Sequence, residues 1–159
     1  MNRGLTTFLQ VVVVALGAGA LALMVWEPYL EGRNEHATLT QIYFNDPFLV
    51  CVYVASIPVF VAVYRAAKVI GHAGHNEMFS PAAINELRMI RYCAIAVIGF
   101  VGVSELYLFF GFTSDDRAGG VFIGMFIALI STVVAASAAM FERVLQNGVD
   151  LKTENDLTV

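Results

Sequence analysis

Charge is scarce in this chain. Only 14% of its 159 residues are Asp, Glu, Lys or Arg, against roughly 25% in an ordinary soluble domain. The formal net charge of −4 is scattered over connectors. No basic patch of the kind that binds nucleic acid is present. Cysteine is limited to Cys51 and Cys93 with no C-x-x-C, which excludes a disulfide scaffold and a thiol redox motif. There is no H-E-x-x-H, no Ser-His-Asp set and no glycine-rich phosphate loop. No enzyme activity, cofactor or metal site is expected.

What the chain has instead is apolar residues, 58% of the total. They gather in four runs, residues 8–26, 48–64, 92–112 and 121–141, broken by a single charge, Glu105. A helix rises about 1.5 Å per residue, so about 17–21 residues cross a hydrocarbon layer roughly 30 Å thick. The expected fold is all-α: a polytopic integral membrane protein with four transmembrane helices in one antiparallel bundle spanning residues 1–159. A tail follows at 142–159, and no room is left for a separate soluble domain.

Basic residues set the threading. Arg3, Arg65, Lys68, Arg88, Arg91, Arg143 and Lys152 share one side of such a bundle, and only Arg33 and Arg117 lie on the other. The richer side is normally cytoplasmic, which predicts both termini inside a bacterial inner (plasma) membrane. The rival reading makes the first run a cleaved signal peptide ending at Ala20-Leu21-Ala22. Its apolar stretch is long for that, and only Arg3 marks the basic segment.

Boundary chemistry fits the spans. Asp46 is placed to cap the second helix, with Pro47 at its first position. Trp26, Tyr29, Tyr43 and Phe44 suit one interfacial belt and Tyr64 and Tyr92 the other. Pro58 falls inside the second span, where it frees a backbone carbonyl and favours a kink. On the basic side Ser80 reads as an N-cap and Pro81 as the first residue of a helix that runs unbroken into the third span. The fourth helix is expected to continue through Glu142, Arg143 and Gln146 and to end near Gly148.

Few residues within the spans carry chemistry. Gly120, Gly124, Ala128, Thr132 and Ala136 recur every four residues, a small-residue ridge that admits another helix closely. It serves either packing within the monomer, with Ala15, Ala18, Gly19 and Ala22 as counterparts, or a homo-oligomer seam. Glu105 is the candidate functional residue inside the membrane, because burying a charge there is costly. It either binds a cation or moves protons, or it is neutral or paired with Arg33 or Arg117. No second ionisable side chain within a span completes a relay. His72 and His75, near Glu77, offer the beginning of a metal site without enough ligands, and a glycine-containing turn is the simpler reading. His36 is expected on the opposite side. Cys51 and Cys93 are expected at opposite depths, too far apart for a disulfide.

Several segments bear a family likeness. They are the first apolar span, Met78-Phe79-Ser80, Ile90-Arg91-Tyr92-Cys93-Ala94, Asp115-Asp116, and the ending from Leu145 to Glu154-Asn155-Asp156-Leu157-Thr158-Val159. In these the chain resembles, over essentially its whole length, the family of small bacterial membrane proteins called domain of unknown function 2975, the YoaS-like group. The resemblance implies a four-helix membrane protein without an assigned activity. It also implies a regulatory partnership, since such proteins are often encoded beside small helix-turn-helix regulators. The chain departs from the family's Asp-Asp-Ala-Pro-Gly turn, reading Asp115-Asp116-Arg117-Ala118-Gly119-Gly120 without the proline. Glu105 is not part of the family pattern.

Three functional expectations follow. The leading one is a non-enzymatic regulator or adaptor in the lipid bilayer whose cytoplasmic face engages a protein partner. Arg88, Arg91, Glu154, Asn155, Asp156, Leu157 and Val159 are the candidate docking residues. The second is a small-solute or ion transporter or channel subunit using Glu105. The third is a stabilising subunit of a larger membrane complex. Direct nucleic-acid binding is not expected.

Overall fold

The computed structural model describes residues 3–30, 38, 47–75, 77–110 and 117–156. Arg33, His36, Tyr43, Phe44, Asp46, the Asp115-Asp116 turn and Leu157–Val159 lie outside them, as do the side chains of Tyr29, Arg117, Asn155 and Asp156. Among the described residues there are four helices and no strand. They are α1 (Arg3–Leu30), α2 (Pro47–Gly74), α3 (Pro81–Phe110) and α4 (Arg117–Asp156). All four are long and apolar enough to cross a membrane.

The helices pack as a row in chain order, α1 on α2, α2 on α3 and α3 on α4. Contacts pair rising residue numbers in one helix with falling numbers in the next. Gln10 meets Ala67, Gly17 meets Val63 and Tyr53 meets Met24 between α1 and α2. Cys51 meets Ser104, and Arg65 meets Glu86, between α2 and α3. Leu108 meets Gly120, and Arg88 meets Glu142, between α3 and α4.

Polar and small residues lock the α1–α2 seam. Gln10 donates from Nε2 to the Ala67 carbonyl at 3.0 Å. A Cβ at Gly74 would collide with Thr6, and one at Gly17 would lie 2.8 Å from Val63. The Tyr53 hydroxyl donates to the Met24 carbonyl at 2.9 Å. That carbonyl would ordinarily accept from the residue four places on, which is Pro28 and has no N–H. Tyr53 therefore satisfies a backbone group that the α1 sequence itself leaves unpaired, which matters where water is absent. Ala15, Ala18, Gly19 and Ala22 do not serve as counterparts to α4. They are exposed, with nothing within 4 Å of a Cβ at Gly19, because α1 sits against α2.

Away from the seams the surface is apolar. Leu16, Leu23, Phe110 and Phe122 are 69%, 73%, 81% and 72% exposed, and no large side chain among the described residues is fully buried. Apolar exposure on this scale is untenable in water and natural in lipid. The closest packing instead lies at the basic end, where Ala83, Ile84, Leu87 and Ile90 of α3 meet Ala138 and Leu145 of α4. Ala66, Val69, Met78 and Val149 pack around that cluster. All three helices thus extend beyond their apolar runs and continue to pack there.

Helix α4 does not stop near Gly148 but continues to Asp156. The glycine is there for a different reason: a Cβ on it would lie 2.5 Å from the Phe79 ring. Met78-Phe79-Ser80 thereby docks the start of α3 onto α4. Ser80 accepts at Oγ from the Ala83 N–H at 3.3 Å, the expected N-cap, with Pro81 opening the helix. Beyond Gly148 the helix is tied locally, Gln146 donating to Asp150 Oδ1 and Thr153 to the Val149 carbonyl, both at 3.0 Å.

Candidate functional site

Two places carry chemistry. The first is the basic end. Glu86, only 7% exposed, lies between two cations of α2, with Arg65 Nη1 at 2.9 Å and Lys68 Nζ at 3.6 Å. Glu142 of α4 repeats the arrangement with α3, with Arg88 Nε at 2.8 Å and Arg91 Nη1 at 3.1 Å. The Arg91 contact is an ion pair without hydrogen-bond geometry, which leaves Glu142 Oε2 without a hydrogen bond. Tyr64 lies under Arg65 and Lys68, and Tyr92 under Arg91, at 6.0, 5.0 and 5.1 Å from the ring centres. Each aromatic ring thus supports the cation beside it. Two carboxylates cross-link three helices through four basic side chains.

Two of the candidate docking residues, Arg88 and Arg91, are therefore already engaged within the chain by Glu142. Glu154 is exposed near the end of α4. Neither Glu86 nor Glu142 stands out in the sequence as a site, although spacing could have found the second. Glu142 belongs with Ala138 and Leu145 to a buried 4–3 series on α4, where an acidic side chain requires a partner.

The histidines hold a turn. His72 Nδ1 is 3.6 Å from Glu77 Oε2, and the His75 ring lies at 2.9 Å from the Gly71 carbonyl. That carbonyl, in the last turn of α2, also accepts from the His75 backbone N–H at 3.2 Å. No group of three or more His, Cys, Asp or Glu suited to a metal occurs among the described residues. Cys51 and Cys93 are both free thiols, with Cys51 Sγ 3.2 Å from Ser104 Oγ.

The second place is a groove of about 350 Å³ between α2 and α4, floored by α3. Glu105 lines it. Its carboxylate lies over Gly124, where a Cβ would overlap Oε1, and Oε2 is buried without a hydrogen-bond partner. Gly124 thus makes space for a carboxylate rather than for a neighbouring backbone. The ridge of small residues divides accordingly. Gly120 and Gly124 face α3 and Ala128 is half-buried, whereas Thr132 and Ala136 are exposed. A four-residue step turns about 40° beyond a full turn, so such a ridge leaves any straight contact line within a few steps. The line actually packed alternates steps of four and three, through Gly124, Ala128, Ser131, Ala135, Ala138, Glu142, Leu145 and Val149.

A row of membrane-length helices, pinned at one end by ion pairs and bearing one carboxylate in an apolar groove, defines an α-helical membrane protein. Its particular family follows from sequence. The family model described as protein of unknown function (DUF2975) matches residues 9–159, and the chain belongs to that family. It is also similar to the uncharacterized membrane protein YoaS of Bacillus subtilis (strain 168), with 31% identity over 160 residues and 100% of both chains covered. No solved structure matches it.

Proposed function

We propose that the chain is a non-enzymatic membrane adaptor or regulator whose basic end forms a rigid platform for a protein partner. In this reading the helices run antiparallel across a bacterial inner membrane, with both termini and the ion-paired end in the cytoplasm. The asymmetry of basic residues supports that orientation.

The observation that carries the reading is the extension of α2, α3 and α4 beyond their apolar runs into a packed, cross-linked end. Lipid anchoring alone would not require buried Glu86 and Glu142, or a final helix reaching Asp156. The exposed end of α4 presents Asp150, Leu151, Lys152 and Glu154, and an amphiphilic helix end suits a groove on a partner. Given the family resemblance, a small helix-turn-helix regulator is the first partner to try.

The test is co-purification from mild detergent with the full chain and with Thr153–Val159 deleted. The docking role predicts loss of the partner from the shortened chain, and retention of every partner refutes it. A reporter fused to the C-terminus tests the orientation separately.

A second reading, a small-solute or ion transporter, is favoured by one observation, the buried and unpartnered Glu105 Oε2. Flux through the protein in liposomes, abolished by Glu105→Gln, is its expected signature. Unchanged flux in that variant returns the glutamate to a structural role.

A further inference from the structure

We infer that the groove between α2, α3 and α4 is a binding site for a lipophilic monovalent cation, with the Glu105 carboxylate as its counter-ion. This goes beyond the adaptor reading and does not depend on it, and binding here requires no transport. Three features of the groove select that class of ligand.

Its size comes first. At about 350 Å³ it lies within the range of small-molecule sites, roughly 300–1,000 Å³. Its walls are almost wholly apolar, with Val52 and Val59 from α2, Val97 and Val101 from α3, and Ile123 and Ile127 from α4. An occupant must therefore bring apolar surface.

Charge comes second. Glu105 is the one ionisable side chain among the residues that line the groove, and its Oε2 is buried with no hydrogen-bond partner. A carboxylate withdrawn from water without a partner is costly, and a positive charge placed beside it relieves that cost. An anion would find no cation along these walls.

The remaining polar groups decide the third point. Besides the carboxylate, only two hydroxyls line the groove, Ser56, which donates to the Tyr53 carbonyl at 2.7 Å, and Ser104, 3.2 Å from Cys51 Sγ. A small hard cation such as calcium or magnesium needs about six or more oxygen ligands, and one carboxylate with two hydroxyl oxygens does not supply them. A cation whose charge is spread over an apolar body needs no such shell. Gly124 is the positioning element, because its missing side chain leaves the carboxylate its place at the groove wall.

The experiment uses the purified full chain in detergent and tetraphenylphosphonium as the probe, with binding followed by equilibrium dialysis. The expected result is saturable binding of about one cation per chain. It should weaken at least about tenfold in Glu105→Gln, the fold-change expected from losing a partly desolvated charge pair. Glu105→Asp should retain most of the affinity. Ile127→Trp is the second variant, since Ile127 is 41% exposed and can carry a larger side chain without repacking the core. It keeps the carboxylate but fills the groove, and it should also lose at least about tenfold. Non-saturable partitioning in the wild type overturns the assignment. So does equal affinity in Glu105→Gln, which is the result if the carboxylate is simply protonated, and so does equal affinity in Ile127→Trp.

Discussion

Replacing Glu86 is the most direct probe of what holds the basic end together. Its carboxylate lies 2.9 Å from Arg65 and 3.6 Å from Lys68, and its side chain is 9% exposed against 26% and 43% for the two cations. At the shorter distance the Coulomb attraction is about 1.4–6 kcal/mol for effective dielectric constants of about 80–20. Desolvation of the carboxylate offsets part of this, and the exposure of both cations screens more. A net loss of about 1–3 kcal/mol is therefore expected for Glu86→Gln, which preserves shape while removing charge. Arg65 Nε already lacks a hydrogen bond, so the guanidinium would keep at best a neutral amide oxygen where it now has a carboxylate. Reversible unfolding in mixed detergent, followed by far-UV circular dichroism, measures the change. Adding Arg65→Met to the same chain should recover part of the loss, because no unpaired guanidinium then remains. A change below about 0.5 kcal/mol, or a double variant no better than the single, would refute the view that this pair pins α2 to α3.

Other expected outcomes follow from single contacts. Gly148→Ala sets a Cβ against the Phe79 ring, which is 57% exposed and has room to turn aside, while alanine gains about 1 kcal/mol over glycine inside a helix. The net change should stay within about 1 kcal/mol, and Phe79→Ala in the same chain should shift it towards stabilisation in the same unfolding assay. Ser80→Ala should cost about 1 kcal/mol by removing the acceptor for the Ala83 N–H, measurable in the same way, with faster amide exchange over the first turn of α3. Tyr53→Phe should cost about 0.6 kcal/mol, the usual worth of a hydrogen bond between membrane helices, by leaving the Met24 carbonyl without its donor.

The four helices were legible because lipid imposes a crude requirement that sequence displays openly. About 20 apolar residues in a row have few alternatives to a membrane helix. The N-cap at Ser80 was legible for an equally local reason, since cap chemistry is confined to a few adjacent residues. Helix faces were harder to read. In a water-soluble protein the polar side of a helix reveals its buried side, but lipid makes both sides apolar and erases that signal. Small residues then become the only visible guide, and those of α1 misled. Ala15, Ala18, Gly19 and Ala22 are exposed, while Thr6, Gln10 and Gly17 carry the seam.

The basic end shows why charged residues near spans resist assignment from sequence. Positive residues on one side of a membrane protein are expected for threading alone, which conceals any further role. Arg65, Lys68, Arg88 and Arg91 are also structural, because Glu86 and Glu142 are buried between them. Cohesion is thus a second task for these four cations, beside the one that threading alone predicts. Removing Glu86 or Glu142 should leave the count of positive charges, and hence the threading, unchanged while loosening the contacts among α2, α3 and α4. Glu105 has the opposite character. No cation among the described side chains pairs with it, and cohesion gains nothing evident from a carboxylate over Gly124. A carboxylate that the fold makes space for but does not pair is the arrangement on which the inferred cation site rests. That physical difference separates the two acidic residues of the basic end from the one in the groove.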